Sequence, residues 1–371
     1  EENSEVLEAV EVKADPFSKT EESPVSLRSI GVNEIKRNPG GNRDISRAVQ
    51  TLPGVATSPS FRNDILIRGG APSENRFYID GIEVPTINHF STQGASGGPV
   101  GMINVDFVKD VDFYSGAFPS NRGNTLSSVF DFKFKEGNSD KIGGSFVIGS
   151  SDAGITLEGP LGKSATFIAS ARQSYLQFLF RGIGLPFLPT YNDFQYKVKW
   201  NIDDKNQITI LAIGAIDDFA LNLDANETDF QKYLLDNLPV YQQWNYTQGF
   251  KYTHFGKTSY TNYIFSRSML NNKFYKYFGN DESSDENLIL DYNSVEAENK
   301  FRIENINRLP SGFKITSGVS YEIAKYTNST YSQSQLGDSI LEINYDSKFV
   351  LQKYAAFGQV SRTFMLSLIH I

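Results

Sequence analysis

From residue 138 onward, apolar and polar residues alternate one by one. Phe194, Tyr196, Val198, Trp200 and Ile202 fall on one face, with Gln195, Lys197, Lys199 and Asn201 between them. Val295, Ala297, Phe301 and Ile303 oppose Glu296, Glu298, Lys300, Arg302 and Glu304. Phe313, Ile315, Val319, Tyr321 and Ile323 oppose Lys314, Thr316, Ser320 and Glu322, and Ala153, Ile155 and Leu157 oppose Thr156 and Glu158. A period of two is that of a strand with a single apolar face. The stretches run to about ten residues, beyond the usual five or six. Some connections read as short and polar, as at Asp203-Asp204-Lys205-Asn206, and others as long and polar, as at 279–287 and 326–346. No solenoid or propeller repeat is present.

Long antiparallel strands of this kind have two homes. One is a large β-sandwich. The other is an outer-membrane barrel, with apolar residues toward lipid, polar residues toward the lumen and aromatic girdles at both interfaces. Alternating short and long connections favour the barrel, and so does tyrosine, whose ring and hydroxyl suit a membrane interface. Only Tyr78 and Tyr114 precede residue 138, whereas the other 17 of 19 tyrosines follow it. A soluble sandwich burying the same faces stays open on pattern alone.

The first part reads as mixed α and β. Ile45, Ala48, Val49 and Leu52 lie on one helical face over 44–52, with Asn42 or Asp44 as cap and Pro53-Gly54 as stop. Ile65 and Ile67 mark a short strand. Phe77-Tyr78-Ile79-Asp80-Gly81-Ile82-Glu83-Val84 is a hairpin signal, because Asp-Gly accepts the left-handed conformations a two-residue turn needs. Strands are also expected over 105–114 and 128–135, with a small-residue loop at 94–101 between elements.

Composition removes several function classes. Lys plus Arg is 35 against 43 for Asp plus Glu, a net charge of -8, which argues against a nucleic-acid binder. There is no cysteine, hence no disulfide and no thiolate metal site. His89, His254 and His370 are scattered, and no metal site is expected from them. No apolar run approaches the roughly 18 residues of a spanning helix. No GxSxG, P-loop or paired-carboxylate motif appears, and the glycines of 94–101 do not have dinucleotide-binding spacing, so neither an enzyme nor a cofactor is expected. The chain opens without a signal segment, which reads as a cytoplasmic, processed or truncated product.

The order and spacing of several short motifs resemble those of TonB-dependent outer-membrane receptors. They are Leu52-Pro53-Gly54-Val55, Ile65-Leu66-Ile67-Arg68-Gly69-Gly70, Tyr78-Ile79-Asp80-Gly81-Ile82, Phe113-Tyr114-Ser115-Gly116-Ala117-Phe118-Pro119 and Asn121-Arg122-Gly123, followed by a strand from Val129 to Lys135. The resemblance implies an N-terminal extension over 1–24, an α+β plug domain over 25–137 and a transmembrane antiparallel β-barrel from 138 to 371. It implies a barrel of about 22 strands, of which this chain supplies about ten. The stretch 364–371 loses the alternation and lacks a terminal aromatic strand end, so the chain is expected to be truncated. A large barrel leaves an open hole, and a lumen-sized domain is needed to block it.

The implied function is energy-coupled uptake of a scarce nutrient, by default a siderophore or other metal chelate, in the outer membrane of a Gram-negative bacterium. The implied partners are a TonB-type energy-transducing protein, outer-membrane lipid and a small-molecule ligand, with a surface lipoprotein as a further candidate. The box-like segment for the energy transducer is Val6, Leu7, Ala9, Val10 and Val12, which would add as a strand to a partner sheet; an ordinary frayed terminus is the alternative. Arg68, Gly69 and Gly70, with Asp80 and Gly81, form the plug motif; Arg68-Gly69-Gly70 serves either a rearranging loop or, more simply, a tight strand-end turn. Pro85, Asn88, His89 and Phe90 are ligand-facing loop candidates, against a plain surface loop. Asp281, Glu282, Asp285 and Glu286 lack calcium-loop spacing and read as a solvated outer loop. Lys109-Asp110-Val111-Asp112 departs from the Lys-Asp-Ala-like run of the starch-utilisation type, so that type's glycan substrates are not implied. A passive barrel or adhesin, or a soluble β-rich binding protein, is the rival reading.

Overall fold

The computed structural model describes residues 27–37, 44–57, 62–95, 97–336 and 339–362. The box-like segment at 6–12, the alternative cap Asn42 and the stretch 364–371 lie outside them.

The first domain is a small α+β unit. Its elements are β1 (Leu27–Gly31), α1 (Val32–Arg37), α2 (Ile45–Val49), β2 (Val55–Thr57), β3 (Ile65–Ile67), β4 (Asn75–Ile79), β5 (Ile82–Glu83), β6 (Asn88–His89), β7 (Val100–Gly101), β8 (Val108–Tyr114) and β9 (Ser128–Phe134). Five of these strands form one sheet in the order β1-β8-β9-β4-β5, with β4 parallel to β9. Asp44 caps α2 by accepting from the Ser46 amide at 2.8 Å, and this satisfies one of the helix's open donors. Helix α1 was not legible in the sequence. Only Ile35 of its six residues is buried, too few to trace an apolar stripe. Residues 105–107 form a 3-10 turn rather than the start of the strand.

The β4–β5 turn is the one Asp-Gly demands. Asp80 has φ 49° and Gly81 φ 87°, both left-handed, as a two-residue hairpin of matching twist requires. Phe77, Phe113, Phe130 and Phe132 stack through the sheet interior, with ring centroids 4.7–6.4 Å apart.

The second domain is a ten-stranded antiparallel meander. Its elements are β10 (Gly143–Ile148), β11 (Asp152–Leu161), β12 (Ala165–Ser174), α3 (Leu176–Gly182), β13 (Phe187–Asp203), β14 (Asn206–Leu221), α4 (Asp229–Asn237), β15 (Val240–Phe255), β16 (Ser259–Tyr277), β17 (Leu288–Arg308), β18 (Phe313–Leu336) and β19 (Ser339–Arg362). Each strand pairs with its sequence neighbours and the sheet is not closed. Connections at one end are 162–164, 204–205, 256–258 and 309–312. Three at the other, 175–186, 222–239 and 278–287, are much longer.

Two expectations need correction. From β13 on, the strands have 16 to 24 residues, not about ten. And 326–346 is no loop: β18 and β19 run on as one hairpin, paired up to Leu336 and Ser339. In β18 the residues from Thr327 to Gln335 are polar apart from Tyr331, so the alternation that marks a half-buried strand stops there while the ladder to β19 continues. The lengths fit strands that cross an apolar layer in about 9–11 residues and then continue into water.

The register sorts the two faces. Val198, Ile210, Phe250, Phe265, Phe301, Tyr321 and Tyr354 lie side by side across seven strands on the outer face. Trp200, Ile208, Tyr252, Tyr263, Ile303 and Val319 form the next row. The inner face carries Gln195, Lys197, Lys300, Arg302 and Glu304, and the first domain packs against it. Gln195 is 1% exposed and Lys197 6%, whereas Phe265 is 52% and Trp200 45%. Close packing reaches the backbone: a Cβ on Gly249 would lie 2.3 Å from Ile82 Cδ1. Ile168, Leu211, Ile213, Ala215 and Ile264 of the sheet join the core of the first domain.

Candidate functional site at the plug–wall seam

The Asp80–Gly81 turn points at the sheet and is held there by three cations. Lys197 Nζ lies 2.8 Å from Asp80 Oδ2 and also donates to the Phe134 carbonyl at 2.8 Å. Lys251 Nζ donates to the Asp80 carbonyl at 2.8 Å, and Arg302 Nη2 to the Gly81 carbonyl at 2.5 Å. A turn has backbone carbonyls with no partner in its own sheet, and ammonium and guanidinium donors supply the charge-assisted kind of bond. One residue on, Glu83 pairs with Lys300 at 3.0 Å, and Lys300 also meets Glu298 at 2.8 Å. Burial alone would raise the Glu83 carboxyl, but Lys300, with Arg76 and Arg302, brings it below its ordinary value.

Behind the turn sits a second buried pair within the first domain. Arg122 donates to Asp131 at 2.5 Å, and Lys133 reaches the other oxygen at 2.7 Å. Burial opposes the Asp131 charge, yet the two cations win and hold the carboxyl well below the usual carboxylate range. Arg122 also lies over the Tyr78 ring, 4.5 Å from its centroid, with Arg302 at 5.8 Å on the same ring. Burial, with Glu83 adding to it, pushes the Tyr78 hydroxyl up to about 12, so it stays neutral.

His89 makes a separate anchor. It is fully buried, with Nδ1 2.6 Å from Asp217 Oδ1 and Nε2 3.0 Å from Asp193 Oδ2. A carboxylate only accepts, so an imidazole between two of them must carry both protons and a positive charge. Burial would lower its pKa, but Asp217 and Asp193 outweigh that and the net shift is upward. Arg172 completes the group, donating to Asp193 at 2.6 Å and to the Gly101 carbonyl at 2.7 Å. The next two amides follow: Phe90 N donates to Asp217 Oδ2 at 2.7 Å and Ser91 N to Gln243 Oε1 at 2.9 Å.

The other candidates fall around these anchors. Asn88 is buried beside His89, Pro85 is exposed, and half-buried Phe90 lies against Tyr241 with ring centroids 6.2 Å apart. Arg68 and Gly69 both take left-handed backbone at the end of β3, where the Gly70 amide donates to the Ile67 carbonyl at 2.9 Å. Arg68 Nη2 donates to Ser115 Oγ at 3.2 Å, so this turn is tied to its own domain and not to the sheet. Asp281, Glu282, Asp285 and Glu286 are exposed around two 3-10 turns. Among the described residues no group of three or more metal-binding side chains is placed to hold an ion.

The wall partners Asp193, Asp217 and Lys251 were not singled out from sequence. Lys197, Lys300 and Arg302 were legible only as members of the polar face. Their signal was a charge at every second position of a strand whose other face is apolar.

Residues 19–127 match the family model described as the TonB-dependent Receptor Plug Domain. The fold of the chain is shared with solved structures of low identity. A ferric enterobactin receptor variant from Pseudomonas aeruginosa has a TM-score of 0.61 at 14% identity, over 92% of this chain and 60% of that one. The siderophore receptor PirA from Acinetobacter baumannii gives 0.60 at 12%, over 91% and 59%, and the copper transporter OprC gives 0.63 at 15%, over 91% and 52%. This chain thus spans 60% or less of the length of those structures. No curated protein matches it. Residues 19–127 are thus a plug domain of the TonB-dependent receptor type, seated on the polar face of a sheet that shares its fold with those receptors.

Proposed function

We propose that this chain forms the plug and part of the barrel wall of an outer-membrane receptor. The receptor binds a scarce nutrient outside, such as a metal chelate, and passes it inward with energy from a TonB-type partner. The observation that carries the reading is the sorting of faces. A soluble sandwich buries its apolar faces, whereas here the rows through Phe250 and Phe265 face outward and the charged face is covered by the plug. An exposed apolar surface of that extent needs a cover, and outer-membrane lipid supplies it. A passive barrel or adhesin has no use for a plug tied down by this many charged contacts.

In this reading Asn88 and His89 hold the loop to the wall, and Pro85 and Phe90 remain as its ligand-facing side chains. The segment with Val6, Leu7, Ala9, Val10 and Val12 is the strand that the energy-transducing partner pulls. The long connections 175–186, 222–239 and 278–287 form the outer surface, where a surface lipoprotein would dock. The receptor should fractionate with outer membrane and need detergent for extraction. Deleting residues 6–12 from the full-length receptor should abolish uptake and leave ligand binding intact. Unchanged uptake would remove the coupling role.

A further inference from the structure

Beside the Asp80–Gly81 turn the seam opens into a cavity of about 390 Å³. Six lysines line it: Lys109, Lys133 and Lys135 from the plug, and Lys197, Lys199 and Lys251 from the wall. Not all are neutralised. Lys197 pairs with Asp80, Lys199 with Glu136, Lys133 with Asp131 and Lys135 with Glu158. Lys251 is held by a carbonyl, an uncharged acceptor. Exposed Lys109 makes no close ion pair among the described residues, and the neighbouring Asp110 carboxyl also lines the cavity. Six lysines thus meet five carboxylates, Asp80, Asp110 and Glu136 in the lining and Asp131 and Glu158 beside it, and this leaves a small excess of positive charge at the seam. A confined cleft of one sign with low-dielectric walls concentrates counter-ions. Lysine suits an anion of variable shape, since its ammonium acts as a point charge with three rotatable donors.

We propose that this cavity binds a small multivalent anion bearing phosphate or carboxylate groups, bridged between Lys109 on the plug and Lys251 on the wall. The anion would give Lys251 a further charged acceptor beside the Asp80 carbonyl it already holds and tie the plug more firmly to the sheet. The site needs only the docked plug. That the anion is the solute in transit rests on the proposed uptake function.

The test uses the full-length receptor purified in detergent, titrated with pyrophosphate and, separately, with citrate at low salt by isothermal calorimetry. Saturable binding of at least one anion is expected, weakened at least tenfold in Lys251→Met and in Lys109→Glu. The second variant changes an exposed side chain outside the turn, so a folded protein is available even if the first disturbs docking. Absence of saturable binding by either anion overturns the proposal, and so does full-strength binding in Lys109→Glu. Uptake is measured in parallel: a transport-active receptor with no anion binding overturns this site alone and leaves the proposed function standing.

Discussion

His89 meets carboxylates that are 104 and 128 residues away in sequence, and its charge is what makes their burial tolerable. With His89 protonated, the group of His89, Arg172, Asp193 and Asp217 is neutral; without that proton it carries a buried negative charge. An ordinary imidazole titrates near 6.5, and here the folded value is raised. The contribution to plug docking is thus complete below about pH 6.5 and is lost as pH climbs through the folded value. Hydrogen exchange at the Phe90 and Ser91 amides, corrected for intrinsic rates, should show protection falling on the alkaline side. In His89→Asn the profile should be flat and the protection lower throughout. Removing one partner of a buried pair costs about 3–5 kcal/mol. A wild-type profile that is flat from pH 6 to 10 would sink the argument. His89 itself was legible as a loop histidine, but its partners were not. Whether Asp217 or Asp218 faces the plug is decided by the register of β14, and a one-residue slip exchanges them.

The strands were legible where one face is greasy and illegible where neither is. Phe194 to Ile202 announces β13, whereas 327–335 carries the same ladder in residues that are polar but for Tyr331 and reads as a loop. Helix α4 carried a signal that was overlooked: Thr228 and Gln231 form a capping box, in a Thr-x-x-Gln spacing visible in the sequence. The Asp-Gly hairpin was readable to the residue, because only a few residue types accept its backbone. Outward rows make the element-scale prediction. Phe250→Arg puts a charge in the middle of an apolar row and should cost about 2–4 kcal/mol if that row lies at the bilayer midplane. The same arginine in place of the outward Lys325, where the face already carries a cation, should be nearly neutral. Heat-modifiable migration of the full-length receptor on SDS gels reports folded barrel directly. Equal folded fractions for the two variants would mean that the outer face is not lipid-facing.

At the scale of the molecule, two kinds of adhesion coexist. From β14 to β17 the strands are held by backbone ladders of 14 to 19 residue pairs, and in lipid their unpaired groups would have no other partner. The plug has nine short strands of its own, five of them in one sheet, and meets the wall chiefly through side chains, at the Asp80–Gly81 turn, at Glu83 and at His89. Once the seam opens, its side-chain contacts are replaceable by water and denaturant, whereas ladders surrounded by lipid are not. The plug should therefore loosen first. In the full-length receptor, rising urea should deprotect the amides of β4, β8 and β9 while those of β13 to β17 stay protected. Charge reversal at two anchors, Lys197→Glu with Lys300→Glu, should move the first step to lower urea and leave the second in place. That separation is what a removable stopper in a permanent wall requires: the seam is strong in number of contacts and weak in kind. Simultaneous deprotection of both domains would mean instead that plug and wall are one cooperative unit, and a partner pulling on the N-terminal segment would then have to unfold the barrel as well.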